Sequence, residues 1–364
     1  MTTTTTTTAT TLRVLFLADT HLGFDEPKKP GATSVRLRRG PDFFRNQALA
    51  LQPALDRERG IDLVIHGGDV FDRSSVTPDL VERAFAPLKE VADSGVPVVV
   101  VPGNHERSRI PYPLLALHPH VHIVRRPITL TFDLRGLRLA IAAFPHHDGI
   151  RERFGELLAQ TGHDASDHAA ADIRLLCMHQ TVEGATVGPS DYVFRDDGET
   201  IRGADIPGDF AAVLTGHIHR RQTLTHDLGK RPLRTPVHYP GSVERTTAAE
   251  RDEAKGFLIL DFAPGSRLVS STFHELPARP MVDHTFDATG LTHDELRATV
   301  KDLLDALPPR ALARITVAGR IDGDARPAIS AAAVRELTPD DMIVSVRDSR
   351  GRQGSEDPTR TAPT

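Results

Sequence analysis

Apolar residues in this chain gather in short dense runs rather than in long amphipathic stripes. Five such runs are Arg13–Ala18 (RVLFLA), Asp62–Gly67 (DLVIHG), Pro97–Pro102 (PVVVVP), Arg174–Met178 (RLLCM) and Ala211–Thr215 (AAVLT). They are rich in β-branched and aliphatic side chains and lack polar alternation, which predicts strands buried on both faces of a mostly parallel sheet. Helical patterning covers Asp42–Arg59 and Asp79–Ser94; Pro78 before the second helix and Gly95 after it are start and stop signals. Beyond His219 the segments LRTPVHYPGS, GFLILDF and RLVSSTFHEL are short and turn-rich, and read as the far side of a two-sheet sandwich. A break at Pro277–Pro280 opens a second unit. It reads as strand Met281–Phe286, helix His293–Leu307, strand Ala313–Val317, helix Ser330–Leu337 and strand Met342–Arg347. The expected fold is α/β: a two-sheet β-sandwich flanked by helices, with a small C-terminal α+β domain. Expected boundaries are a disordered threonine-rich tail at 1–11, the main domain at 12–276, the small domain at 280–347 and a disordered polar tail at 348–364.

Composition narrows the function classes. The 364 residues fit two domains at ~150 residues each. Aromatics make up 5% and there is no Trp, so base stacking on aromatic platforms is not expected as a main binding mode. The single Cys177 lies in an apolar run, which excludes a disulfide framework and a zinc–thiolate site and suits a reducing, cytoplasmic location. No apolar run approaches the ~18 residues of a membrane span, and Met1–Thr11 lacks the basic start and apolar core of a signal peptide. A net charge of −5 argues against wholesale nucleic-acid binding, leaving only local basic patches for such contacts.

The chemistry sits directly after the five runs. Asp19-Thr20-His21, Gly68-Asp69-Val70-Phe71-Asp72-Arg73, Gly103-Asn104-His105-Glu106, Met178-His179 and Gly216-His217-Ile218-His219 follow them in order. Asp, Asn and His therefore emerge at the C-terminal ends of strands, where α/β sheets place their ligands. Imidazole, carboxylate and amide oxygen together suit divalent first-row metals. Asp19 and His21 alternate on what reads as an extended segment, so both can face one pocket, and His217 and His219 share a face in the same way. The competing reading is that these are turn residues and helix caps, for which Asp and Asn are common. His66, His118, His120, His122, His146, His147 and His238 read as surface or packing residues, although His146-His147 also stand at a strand end.

Together the islands resemble the calcineurin-like metallophosphoesterase superfamily, whose pattern is D-x-H, G-D-x-x-D-R, G-N-H-D/E, H and G-H-x-H. The resemblance implies the metallophosphoesterase fold and two divalent metal ions held by Asp19, His21, Asp69, Asn104, His179, His217 and His219. Asp69 would bridge them, screening two dications ~3.5–4 Å apart. Manganese is the first choice of metal, with iron, zinc and magnesium as alternatives. A bridging hydroxide would attack phosphorus in line. His105 would assist the leaving group as the catalytic histidine, oriented by the Asp72 carboxylate.

Within the superfamily, Thr20-His-Leu-Gly, Gly216-His-Ile-His-Arg-Arg-Gln, Tyr239-Pro-Gly-Ser-Val-Glu-Arg-Thr and Asp252-Glu-Ala-Lys-Gly-Phe resemble SbcD-like DNA repair exonucleases. The small C-terminal domain matches that family's capping domain in size, order and position. The implied function is a DNA exonuclease or endonuclease acting on ends or single strands; the alternative is a small-molecule (cyclic) nucleotide phosphoesterase of the same superfamily. The segment Lys28–Arg45 carries six basic residues against one acidic, and Arg36, Arg38, Arg39, Arg220 and Arg221 are candidate contacts to DNA phosphates. Relatives of this type dock a coiled-coil ATPase through a helical segment beyond the cap. Arg347–Thr364 is polar and holds prolines and glycines, so an SbcC-like partner is not expected, whereas a homodimer through helices near Asp42–Arg59 is.

Overall fold

A computed structural model describes residues 10–24, 39–106 and 118–348. Residues 1–9 of the threonine tail, Lys28 to Arg38 of the basic segment, and the polar tail from Ser349 lie outside the described residues. The chain divides into two compact units, Met1–Ala278 and Arg279–Thr364.

The first unit holds two six-stranded sheets. One runs 267–275, 256–263, 12–17, 63–66, 98–100, 121–123; the other runs 222–226, 232–239, 212–215, 173–178, 137–143, 128–134. The apolar runs form their centres and pair in parallel, for example Phe16 with Ile65 and Leu214 with Cys177. Their continuous hydrophobicity has a simple cause. Val14 and Phe16 point into the core between the sheets with Ile65, Ile141, Leu175, Leu214 and Leu260. Leu15 and Leu17 point the other way, onto Phe43, Leu51, Phe85 and Leu88 of the helices. Each such side chain removed from water contributes ~1.5–3 kcal/mol.

The helices are Gly40–Leu55 and Pro78–Asp93. The second starts where Thr77 accepts from Leu80 N at 3.2 Å and stops before Gly95, whose φ is +95°. The first ends earlier than its pattern predicts, because Asp56 caps a separate short turn at Arg57–Arg59. The segment after His219 departs further from expectation. It is not one far side: Pro232–Tyr239 joins the second sheet beside Ala212–Thr215, while Gly256–Ala263 and Arg267–Glu275 extend the first sheet beside Leu12–Leu17. Strand patterning does not encode which distant strand is the partner.

The second unit is a three-stranded parallel sheet, Met281–Asp287, Leu312–Ala318 and Ile343–Asp348, with helices His293–Asp305 and Ala331–Leu337. Leu296, Val300 and Leu304 of the first helix pack on Ile315 and Val317. A Thr292–Glu295 capping box starts that helix. Among the described residues no helix is long and apolar enough to cross a membrane.

Candidate metal centre

The islands converge because their loops are bonded to one another. Asp19 N donates to Gly68 O (2.9 Å), His21 N to Asp69 O (3.0 Å), Leu22 N to Val70 O (2.8 Å) and Asp72 N to Leu22 O (3.0 Å). The extended geometry expected for Asp19 and His21 is not what forms. Asp19 (φ 53°), His21 (φ 43°), Asp69 (φ 50°) and His217 (φ 81°) all lie in the left-handed region, and the strands have already ended at Leu17, His66 and Thr215. Such residues carry strain of ~1–3 kcal/mol each and concentrate at functional sites. The bonded loops hold them there. Gly68 takes φ +101°, and a Cβ on Gly216 would press on Gly67 O and on His179 Nδ1 at 2.8 Å, so both glycines admit the close approach.

The nine predicted catalytic and metal-binding side chains gather here: His21, Asp69, Asp72, Asn104, His105, His217 and His219 line a pocket of about 260 Å³, and Asp19 and His179 join its donor groups. Asp19, His21 and His219 form one group of donor atoms, Asp69, His179 and His217 a second, and His21, Asp69 and His105 a third, each within 4.8 Å. His21 Nε2 and His219 Nε2 are 2.9 Å apart, and His219 Nε2 lies 4.0 Å from Asp19 Oδ1. Asp69 Oδ2 stands 3.4 Å from His179 Nε2 and 3.9 Å from His21 Nε2, so this carboxylate reaches both groups. Asn104 Oδ1 lies 3.2 Å from His179 Nε2 and 2.9 Å from His217 Nδ1. His179 donates Nδ1–H to Gly67 O at 2.6 Å, which turns its Nε2 inward toward Asp69.

This donor set fits cations. Asp19 Oδ2 is buried without a hydrogen-bond partner, and burial pushes the Asp19 pKa up to about 6 against the pull of His179 and His219. Burial, then neighbouring imidazoles, lower His217 to about 3 and bring His21 well below its ordinary value. Those two rings are therefore neutral, the form that ligates a metal. Burial opposes the charge of Asp69, but His179 and its hydrogen bond hold the carboxyl well below the usual range. Burial also opposes a proton on His179, yet Asp69 and Asp19 raise it to about 9. Unsatisfied acceptors, neutral imidazoles and buried carboxylates around one point are what divalent ions complete.

His105 faces this cluster. Its Nε2 lies 3.9 Å from Asp69 Oδ2, its ring centroid is 5.0 Å from that of His21, and its backbone N donates to Asp69 Oδ1 at 3.0 Å. Asp72 lines the same pocket, but His105 Nδ1 has no hydrogen-bond partner among the described residues, so the expected orienting contact is not made. His146 stands beside the site, its ring 5.7 Å from that of His217, and burial lowers its pKa to about 4.

Three supporting residues were not found by sequence reasoning. Glu106, fully buried, accepts from Asp69 N (2.9 Å), Gly103 N (2.6 Å) and Phe71 N (3.0 Å). It thereby ties two islands together. Burial and the charge of Asp69 push its pKa up to about 8, but all three neighbours are donors, so the geometry favours the carboxylate. Glu250 lies 3.3 Å from His219 Nδ1, and Lys255 donates to Glu250 at 2.7 Å. The available signals were the last letter of G-N-H-E, the spacing of a Thr247–Glu250 capping box, and the lysine of Asp252-Glu-Ala-Lys-Gly-Phe. His66, read as packing, is a packing residue: its Nδ1 accepts from Gly68 N at 3.2 Å and its Nε2 meets Thr20 Oγ1 at 3.0 Å.

Two of the arginines are corrected. Arg39 is 3% exposed; its guanidinium lies over Phe24 and Phe43, donates to Arg245 O and sits 3.8 Å from Glu244. Apolar packing draws it inward, so it is not a surface contact for DNA. Arg220 is bonded to Glu253 (3.0 Å), Asp191 (2.5 Å) and Gly188 O (2.6 Å), so its fork is already engaged within the chain. Arg221 is exposed, 5.0 Å above the Phe273 ring. Arg36 and Arg38 lie outside the described residues.

A two-sheet α/β sandwich whose strand ends present a buried cluster of His, Asp and Asn defines a metallophosphoesterase. Residues 12–221, more than half of the chain, match the calcineurin-like phosphoesterase family, and the chain belongs to it. Among curated relatives, a DNA double-strand break repair protein Mre11 from Haloferax volcanii is 28% identical over 285 residues, covering 76% of this chain and 55% of the relative. Its counterpart from Methanosarcina mazei is 25% identical, covering 94% and 51%. A component of the nuclease SbcCD from Bacillus subtilis is 26% identical, covering 70% and 67%. The chain thus spans about half the length of the first two relatives.

Proposed function

We propose that the chain is a dinuclear metal-dependent phosphodiesterase that cleaves DNA. The observation that carries this reading is the convergence of seven metal-type donors, with Asp69 reaching both groups, beside an accessible histidine. Asp19, His21, Asp69 and His219 would hold one cation; Asp69, Asn104, His179 and His217 would hold the other. Manganese is the metal proposed. When bound, the cations supply charge neutralisation at the phosphate and activation of water. The protein's own residues do the rest. Asp69 screens the two charges from each other. His105, 32% exposed, meets the substrate side of the pocket and passes a proton, or a hydrogen bond, to the departing oxygen. The substrate is taken to be DNA because the relatives named above are DNA double-strand break repair proteins and a component of a nuclease, and Arg221, two residues after His219, offers an exposed cation.

The test strips the protein of metal, reloads it with Mn²⁺, and compares labelled single- and double-stranded oligonucleotides with cyclic nucleotides and a chromogenic diester. Asp69→Ala is the control and should lose both bound metal and hydrolysis. Cleavage of cyclic nucleotides with no cleavage of DNA would overturn the substrate assignment. An Asp69→Ala protein that keeps two metals would overturn the bridging role.

A further inference from the structure

His219 is gripped at both ends by one buried group of charges. Its ring Nδ1 lies 3.3 Å from Glu250 Oε1 and 3.3 Å from Thr246 Oγ1, while its backbone carbonyl accepts from Lys255 Nζ at 2.9 Å. Lys255 is 0% exposed, and its three N–H bonds are all used, on His219 O, on Glu250 Oε2 (2.7 Å) and on Glu253 Oε2 (3.1 Å). A lysine is almost never buried to this degree unless its charge is paired. Glu253 in turn takes Arg220 Nε at 3.0 Å. Arg220, Glu253, Lys255, Glu250 and His219 thus form a line of alternating charge that ends on a metal-facing ring.

The carboxylate of Glu250 has little freedom. Oε1 accepts from Thr246 Oγ1 (2.6 Å), Thr247 N (3.2 Å) and Thr247 Oγ1 (3.2 Å), and Oε2 is fixed by Lys255. Because Thr246 already gives its proton to Glu250, both neighbours of His219 Nδ1 are acceptors. The ring proton therefore belongs on Nδ1, and the Nε2 lone pair is left pointing at Asp19 and His21. Nothing equivalent backs the other pocket among the described residues. His179 Nδ1 meets a neutral carbonyl, Gly67 O, and His217 turns its Nδ1 inward to Asn104 Oδ1, with no carboxylate recorded on its other ring nitrogen.

We propose that Glu250, held by Lys255, is a positioning residue that sets the tautomer and aim of His219, so that the Asp19–His21–His219 pocket alone depends on a carboxylate behind its ligand. This rests on the two-metal reading above. The prediction is asymmetric: losing Glu250 weakens one metal site and spares its neighbour.

The experiment titrates metal-stripped full-length protein with Mn²⁺, following stoichiometry and affinity by calorimetry and metal pairing by electron paramagnetic resonance. Wild type is compared with Glu250→Gln and with Glu250→Gln/Lys255→Met. In Glu250→Gln the ammonium of Lys255 keeps Glu253 as its partner, and the double variant removes the whole pair, so a loss common to both reports Glu250 and not a rearranged Lys255. The expected result is a 10–100-fold weaker affinity at one site, the usual effect of losing a partner behind a ligand, with the other site within about twofold. At intermediate Mn²⁺ the variants should show the six-line signal of an isolated ion where wild type shows a coupled pair. Wild type that takes up no Mn²⁺ overturns the two-metal reading and this inference with it. Wild type with two sites, and folded variants with the same two affinities, overturns the role of Glu250 alone. Equal weakening of both sites also overturns it, because that would mark general loosening of the loops.

Discussion

Glu106→Gln tests how the two central islands are held together. The Glu106 carboxylate accepts from three backbone donors in two loops, with Asp69 N and Gly103 N on Oε2 and Phe71 N on Oε1. Glutamine has nearly the same shape but offers one acceptor and one donor group. Its best fit keeps the oxygen on Asp69 N and Gly103 N and turns the amide N–H toward the Phe71 N–H. One charge-assisted hydrogen bond is lost, at about 1.5–3 kcal/mol. Glu106→Ala leaves three buried N–H groups without acceptors at about 1–3 kcal/mol each, a large part of the ~5–15 kcal/mol that stabilises a typical domain. The assay is urea unfolding of the metal-stripped proteins at pH 7.5. The midpoint should fall with an unchanged slope, which marks lost stability rather than a changed unfolded state. Amide exchange at Phe71 should accelerate more than at Val64, which sits within a strand. A Gln variant within about 0.5 kcal/mol of wild type would show that the carboxyl is already protonated, in keeping with a pKa pushed up to about 8, and the argument from three donors would be wrong.

Two further outcomes follow from the site. His105→Ala should keep both metals and lose about 10²–10⁴-fold in kcat if the ring serves the leaving group; loss of a metal would make it a ligand, as its place beside His21 and Asp69 allows. Burial, reinforced by His179, lowers the His66 pKa to about 3, below the ~6.5 of an unfolded histidine. The unfolded chain therefore takes the proton first, so His66 costs no stability above pH ~6.5 and about 1.4 kcal/mol per pH unit as pH falls toward 3. His66→Asn can still accept from Gly68 N, and between pH 6 and 4 its unfolding free energy in the metal-stripped protein should fall less steeply by about one proton. Parallel curves for the two proteins would remove His66 from the account.

The strands, and the gathering of most of the candidate donors, were legible for one physical reason. A strand buried on both faces has no room for polar residues, so Val14 through Leu17 or Val98 through Val101 announce themselves, and the first Asp, Asn or His after each run must lie at a strand end. What failed was whatever depends on distant pairing. The stretch after His219 splits between two sheets because Leu260 pairs with Val14 and Val237 with Val213, partners that local patterning does not name. Arg39 and Arg220 looked like surface charges because a positive charge in a loop usually is one. Arg39 instead lies against two phenylalanines, and Arg220 closes on carboxylates far along the chain.

The same limit explains why the supporting carboxylates were missed while the candidate donors were not. A ligand is marked by its own chemistry, whereas Glu106 and Glu250 matter only through what they touch: backbone N–H groups in one case, a ring nitrogen and a buried lysine in the other. Both act on residues whose backbone is strained or whose ring must be aimed. Asp19, His21, Asp69 and His217 occupy left-handed conformations that their own sequence disfavours. Conformations of that kind persist only where surrounding bonds over-determine them. The carboxylates behind the ligands are thus part of what makes the donor geometry possible. Substitutions at Glu106 or Glu250 should accordingly resemble ligand loss more closely than their distance from the pocket suggests.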